Sequence, residues 1–160
     1  MTVLVLGLGN ILLRDEGLGV RVVEALEQRY RVPSGVTVLD GGTSGMDLLD
    51  SIAGTGDLIV VDAIRAGRAP GELVRLTGEQ VPVFFRQRLS PHQLGLSDLL
   101  ATLALQDQSP ASVTILGCEP LDLALGLELS PTVAARIDDL VAAVVAEVAS
   151  LGYSMEPGSA

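Results

Sequence analysis

The chain has 160 residues, enough for one domain with a substantial core, and 48% of them are hydrophobic, which excludes a disordered protein. Aromatic residues make up only 2%, so leucine, valine, isoleucine and alanine must build that core. The formal net charge of −10, without any cluster of lysine or arginine, argues against nucleic acid and anionic membrane surfaces as partners.

The first half of the chain predicts alternating strands and helices. Residues 3–9 (VLVLGLG) form a continuous apolar run, typical of a parallel strand that is buried on both faces. From Leu18, apolar residues recur at helical spacing, and this helix closes near Pro33. A second strand follows at Val36–Asp40, and residues 46–52 predict a short helix.

The second half continues the alternation. Ser90 and Pro91 predict the start of one helix, and Ser130 with Pro131 predicts the start of a long final helix, whereas residues 81–88 are ambiguous. Three more strands are predicted, at Asp57–Asp62, Glu72–Thr77 and Ser112–Gly117.

This alternation predicts an α/β fold of three layers, with helices on both faces of the sheet. We expect one domain over residues 1–152 and a flexible tail over residues 153–160.

Cellular location is indicated by features that the chain lacks. Cys118 is the single cysteine, so no internal disulfide can form, which fits a reducing compartment. The sequence begins with a strand and shows neither the basic region nor the cleavage site of a signal peptide. The apolar stretch around residues 141–148 contains Glu147 and is too short to cross a membrane. We therefore expect a cytoplasmic monomer that is not inserted in a membrane.

Two acids and the only histidine lie where strands end or helices begin. Glu16 follows the first strand, Asp62 ends the third strand, and His92 lies in the first turn of a helix. If the strands are parallel, all three lie along the edge where open α/β sheets place their sites, and Asp40 ends the second strand at the same edge. Two carboxylates and an imidazole can hold a divalent metal or perform acid–base chemistry.

Each of these residues also has a plain structural explanation. Asp62 can form a turn, Glu16 can stabilise the start of a helix, and His92 can be an ordinary polar residue in a first turn. The three explanations are independent, whereas one shared site accounts for all three positions. A helix start also disfavours imidazolium, so it favours the neutral ring that a metal needs.

A nucleotide site is the first alternative, because Gly7 and Gly9 follow a strand. However, Leu12 occupies the position of the third glycine of a dinucleotide-binding motif. The acids Asp15 and Glu16 would also repel a pyrophosphate, so nucleotide binding is the weaker interpretation.

Nucleophilic catalysis is the second alternative. Ser44 is not in a Gly-x-Ser-x-Gly turn, and Cys118 ends a buried strand, which favours a small core residue. Both would compete for His92 as their base.

Several motifs together resemble those of the nickel–iron hydrogenase maturation endopeptidases. The resemblance runs from the first strand to about Leu151, and it includes the turn at Gly117–Pro120. The family commonly has glutamine where this chain has Glu119, and Cys118 is unusual there, so both can affect substrate fit. The matching segments are residues 7–19 (GLGNILLRDEGLG), 40–45 (DGGTSG), 59–63 (IVVDA) and 90–100 (SPHQLGLSDLL).

The resemblance implies a fold and an activity. The fold is a twisted, mainly parallel five-stranded sheet between helices. The activity is endopeptidase cleavage of the C-terminal extension of the hydrogenase large-subunit precursor, after a His or Arg and once nickel has been inserted. Glu16, Asp62 and His92 correspond to the residues that contact the metal. Asp40, with Gly41 and Gly42, corresponds to a turn that serves substrate recognition or chemistry.

The donor set leads to the hypothesis that nickel arrives on the substrate and serves as the recognition signal, although other divalent cations can occupy the site in vitro. Either the metal activates the reactants, or a carboxylate, Asp62 or Asp40, acts as general base on water. Two rivals stay open: another hydrolase on this fold with its own metal, and a non-enzymatic nucleotide- or metal-binding module.

Overall fold

The computed structural model describes residues 2–87 and 91–158; within these ranges, the side chains of residues 45, 46, 84–87 and 91–95 are outside the description. The strands are β1 (Val3–Leu8), β2 (Tyr30–Arg31), β3 (Val36–Gly42), β4 (Asp57–Ala63), β5 (Leu73–Thr77), β6 (Ser112–Cys118) and β7 (Glu156–Pro157). The helices are α1 (Leu18–Arg29), α2 (Leu49–Ile52), α3 (Gln80–Gln87), α4 (Pro91–Leu105), α5 (Pro131–Ala134) and α6 (Ile137–Ser150). Single 3₁₀ turns lie at Arg14–Gly17 and Gly45–Leu48.

Five strands form the main sheet in the order β3-β1-β4-β6-β5. The first four strands in this order are parallel, and β5 is antiparallel to β6 at one edge. The predicted mainly parallel, five-stranded α/β sheet is therefore confirmed. The ambiguous segment after β5 is helical as far as Gln87, and Ser90, the predicted cap of α4, lies outside the described residues.

Two hydrophobic layers cover the faces of the sheet, because successive side chains of a strand point to opposite faces. In β1, Val3 and Val5 pack with α1 and α6, whereas Leu4, Leu6 and Leu8 pack with α2 and α4. The helices bury apolar stripes against the sheet: Leu96, Leu99 and Leu103 in α4, and Val133, Leu140, Val141, Val144 and Val148 in α5 and α6.

The predicted long final helix is wrong in one respect, since it is divided into α5 and α6. The N–H of Arg136 donates to the carbonyl of Val133, which tightens the backbone between the two helices. The Arg136 Nε also donates to the carbonyl of Gly71 at 2.9 Å. This long-range contact accompanies the interruption, although alanine and arginine are both good helix formers.

Residues 153–158 also differ from the flexible tail that the sequence predicted over residues 153–160. Met155 is buried in the layer with α1 and α6, and β7 pairs antiparallel with β2. Burial of a large apolar side chain and a short backbone pairing attach this segment to the domain. Among the described residues, no helix has the length and apolar character to cross a membrane.

Candidate active site

Strand register places two candidate acids at the carboxyl-terminal edge of the sheet. Gly7 of β1 pairs with Asp40 on one side and with Val61 on the other, so Asp40 and Asp62 lie at nearly the same height. They belong to the strands that flank β1, which puts their backbones about 10 Å apart, or two strand spacings. The predicted convergence of Asp40 and Asp62 on this edge therefore follows from the observed sheet order.

Asp62 is buried near the end of β4. It pairs with Gly117 of β6, where a Cβ would collide with the Asp62 carbonyl oxygen. Only glycine lets β6 approach this closely, and the approach holds the backbone of Asp62 in place.

Glu16 lies in the turn Arg14–Gly17, which packs against β4. The chain reverses direction at Gly9, whose φ of 130° is in the region that favours glycine and whose Cβ would collide with the Glu16 carbonyl oxygen. The turn therefore returns to the end of the sheet, and Glu16 stays half-buried beside the strand that carries Asp62.

Asp15, which the sequence argument treated only as a repulsive acid, holds this turn in position. It is completely buried, and its carboxylate accepts four hydrogen bonds from the segment that follows β6. Three are donated by backbone N–H groups, those of Leu121 (2.9 Å), Asp122 (2.8 Å) and Ser130 (2.7 Å). The fourth comes from the Ser130 hydroxyl at 2.8 Å.

These bonds also govern the charge of Asp15. Burial by itself raises the pKa of this carboxyl group, but the hydrogen bonds from Asp122, Ser130 and Leu121 outweigh burial and hold the pKa below its ordinary value of 3.8. Asp15 is therefore a carboxylate at neutral pH. It points inward, while the next residue, Glu16, is left partly exposed.

Further contacts join the same two segments, residues 10–17 and 119–130, which we call the clamp. Leu13 and Gly126 form a parallel bridge. Arg14 pairs with Asp122 and donates from Nε to the carbonyl of Glu128 at 3.0 Å. The clamp thus fixes the loop that carries Glu16 by backbone pairing, by an ion pair and by the buried Asp15 carboxylate.

Asp40 has a different environment from Asp62. It is exposed, and its Oδ1 accepts the N–H of Gly42 at 2.9 Å, which closes a small turn at the end of β3. This bond orients the carboxylate at the sheet edge and engages one of its two oxygens.

The backbone of His92 lies in the first turn of α4, as predicted, but its side chain is outside the described residues. The structure therefore places the Glu16 turn beside the strand that carries Asp62. Asp40 lies on the other side of β1 from Asp62, and the His92 imidazole is outside the description. Among the side chains that are described, no group of three His, Cys, Asp or Glu residues has an arrangement suited to hold a metal.

A cavity of about 410 Å³ opens beyond the ends of β4 and β6. Arg65 and Leu121 line it together with Glu119. The Glu119 carboxylate accepts the N–H groups of Ala66 at 2.7 Å and Gly67 at 3.0 Å. Glu119 thus orders the loop after β4, and a glutamine there could accept through only one oxygen.

The two candidate nucleophiles have little support. Cys118 is buried in the core as predicted, and burial, together with the nearby charge of Asp15, raises its pKa to about 11. A buried thiol with a raised pKa is protonated at neutral pH, which makes it a poor nucleophile. Ser44 is exposed, and its N–H donates to the carbonyl of Gly41 in the turn after β3.

The fold and the candidate site define an α/β protein with carboxylates along the carboxyl-terminal edge of a mainly parallel sheet. Known proteins with similar sequences and structures identify its family. The model of the hydrogenase maturation protease family matches residues 20–147. Hydrogenase 2 maturation protease of Escherichia coli K12 is 46% identical, over 100% of this chain and 98% of that protein. The chain therefore belongs to the hydrogenase maturation protease family.

Solved structures support the same conclusion. The hydrogenase maturating endopeptidase HybD from E. coli superposes with a TM-score of 0.94 at 46% identity, over 98% of both chains. The [NiFe] hydrogenase maturation protease HybD from Thermococcus kodakarensis gives a TM-score of 0.76 at 30% identity, over 90% of this chain and 97% of that one. The fold and the enzyme class that the sequence predicted are thus confirmed.

Proposed function

We propose that this chain removes the C-terminal extension of a nickel–iron hydrogenase large-subunit precursor after nickel insertion. The observation that best supports the site is the clamped turn that holds Glu16 against β4, beside the buried Asp62. Family membership supplies the reaction, the hydrolysis of a peptide bond during hydrogenase maturation.

The proposed contacts to the substrate's nickel are Glu16, Asp62 and His92. Oxygen and imidazole donors suit a first-row divalent metal, but three such ligands without thiolate leave the site open on one side. In this proposal the precursor supplies the remaining ligands, since its nickel is already bound when it arrives. The two carboxylates and the imidazole then bind this nickel, which positions the adjacent peptide bond at the sheet edge.

Two routes for the hydrolysis follow from this arrangement. Nickel on the substrate can polarise the peptide carbonyl or lower the pKa of a bound water. Alternatively, a carboxylate takes the proton from water. If Asp62 contacts the metal, Asp40 is the other carboxylate proposed for this step. The N–H of Gly42 donates to one oxygen of Asp40 and fixes the orientation of its carboxylate.

The proposed function is tested with nickel-loaded precursor and the purified protease, with loss of the extension followed by mass spectrometry. We expect the wild-type chain to cut once near the C-terminus and His92→Ala to retain its fold but lose processing. Glu27→Gln, an exposed acid of α1, and Asp107→Asn, in the turn after α4, are controls that should cut at the wild-type rate. An intact precursor with the wild-type chain, or full processing by His92→Ala, would contradict the proposal.

A further inference from the structure

Exposed leucines concentrate on the clamp. Eight large hydrophobic side chains are exposed in the described part of the chain, and half of them belong to residues 10–17 and 119–130. Unpartnered apolar side chains that gather on one surface commonly mark an interaction site. The four, called here the leucine surface, are Leu12 (55% exposed), Leu121 (54%), Leu125 (83%) and Leu127 (60%).

Backbone pairing brings three of these leucines together. The N–H of Gly126 donates to the carbonyl of Leu12 at 2.9 Å, so Leu125 and Leu127, on either side of Gly126, lie beside Leu12. The fourth, Leu121, is fixed through its N–H, which donates to the buried Asp15 carboxylate. The leucine surface is therefore built on an ordered backbone, which lowers the entropy cost of binding a partner.

Two ion pairs lie at the leucine surface, and the exposed acid Glu128 lies next to Leu127. Arg14 pairs with Asp122, and Arg21 pairs with Glu24 while it also donates to the carbonyl of Leu127 at 3.0 Å. Since both arginines are compensated, the four exposed leucines favour an apolar partner over an acidic one.

The leucine surface is continuous with the candidate active site. Leu12 precedes Glu16 in the same loop, and Leu121 also lines the cavity that opens beyond β4. A protein whose C-terminal segment reaches Glu16 therefore comes near the loop that carries Leu12 and the cavity that Leu121 lines. A second copy of this chain on the surface would obstruct the same edge.

We propose that the leucine surface docks an apolar patch on the folded body of the hydrogenase large-subunit precursor, outside the cleaved segment. This inference rests on the proposed function, because it takes the precursor as the protein that reaches the sheet edge. In this inference the leucine surface on the clamp selects a folded substrate, whereas Glu16, Asp62 and His92 contact the metal.

The test compares Leu125→Ser combined with Leu127→Ser against the single variant Leu105→Ser. Leu105 is 90% exposed and ends α4, near the amino-terminal edge of the sheet, so it is a matched control for loss of an exposed leucine. With nickel-loaded precursor, we expect KM to rise about tenfold in the double variant, the effect of 1.4 kcal/mol of lost binding, while kcat is unchanged. Leu105→Ser should leave both constants unchanged.

Direct binding separates this inference from the proposed function. Glu16→Gln alone and with the two serine substitutions is titrated with purified precursor by calorimetry, so no cleavage is required. Affinity weakened about tenfold by the serine substitutions supports the docking surface, even if the wild-type chain proves unable to cut. Equal affinity would overturn it. Sedimentation of the free protease gives a further check, since a wild-type dimer that the substitutions dissociate would assign the leucine surface to self-association instead.

Discussion

The two edges of the parallel strands differ in what they offer a substrate. At the amino-terminal edge, a groove of about 700 Å³ runs between α3, α4 and β6, and none of its described lining residues is acidic, basic or histidine. At the carboxyl-terminal edge, the cavity is smaller, about 410 Å³, but it adjoins the clamp, and Asp62 and Asp40 lie at the same edge. Cavity size and the titratable groups therefore point to opposite edges of the sheet. The titratable groups and the long-range hydrogen bonds that position them are the better guide.

Removing the charge of Glu16 or Asp62 should give the largest effect. We expect Glu16→Gln and Asp62→Asn each to lower processing by about a hundredfold or more, the scale seen when one group that stabilises a transition state is lost. Both changes keep the size of the side chain, so the fold should survive, which circular dichroism can verify. Mass spectrometry of the large subunit reports the cleavage, and complete processing by Asp62→Asn would remove this edge as the active site.

Loosening the clamp should give an intermediate effect. In Asp15→Asn the amide can accept through only one oxygen, so at least one buried N–H of the clamp loses its partner, at a cost of about 1–3 kcal/mol in the free energy of unfolding. Because Glu16 is the next residue, kcat should fall about ten- to a hundredfold, as for residues that orient metal ligands.

The control for the clamp is Asp139→Asn, which removes a surface ion pair with Arg136 and one of two acids in the first turn of α6. It should change stability by less than about 1 kcal/mol and leave kcat unchanged. Urea unfolding and steady-state kinetics measure both effects. If Asp15→Asn loses stability but keeps the wild-type kcat, the clamp supports the fold without positioning Glu16.

Acid should weaken the clamp as well. The pKa of Asp15 is lower in the folded chain than in the unfolded chain, so its charge stabilises the fold above about pH 4. This stabilisation is lost as the pH falls through the folded-state pKa, because the protonated acid no longer accepts all four bonds. The difference in unfolding free energy between wild type and Asp15→Asn should therefore shrink in urea titrations as the pH falls below about 4. A difference that stays constant with pH would show that the charge of Asp15 contributes nothing.

Filling the groove at the opposite edge should give the smallest effect. Ala101 is exposed on α4 and lines that groove, and leucine suits a helix nearly as well as alanine. Ala101→Leu should leave the processing rate within about twofold of wild type and stability within about 0.5 kcal/mol. A clear loss of processing would show that the groove takes part in substrate binding, and the contrast between the edges would fail.

Local patterns were sufficient for the fold class and the first strand. The run at β1 predicted a parallel strand and the alternation of strands with helices predicted a layered α/β fold, whereas the mainly parallel five-stranded sheet was implied by the family resemblance. Parallel strands share one carboxyl-terminal edge. Asp40 and Asp62 could therefore be assigned to that edge without knowledge of any contact. Glu16 followed because its loop begins where β1 ends.

Contacts between distant segments could not be predicted in the same way. Asp15 finds its partners 106 to 115 positions later, and nothing in the local sequence distinguishes it from the neighbouring Glu16. The interruption between α5 and α6 similarly accompanies a contact of Arg136 with the Gly71 carbonyl. The attachment of the C-terminal segment depends on Met155, whose single apolar side chain gives no periodic signal.

Nickel dependence tests the central claim most directly. Metal-free protease is mixed with the purified precursor in its nickel-loaded and nickel-free forms, and loss of the C-terminal extension is followed over time. Because Glu16, Asp62 and His92 are proposed to read the metal on the substrate, the protease should cut the nickel-loaded precursor and spare the nickel-free form and isolated extension peptides. Equal rates on the two precursor forms would contradict the account, since the three residues would then serve the chemistry of the enzyme without reading the substrate's metal.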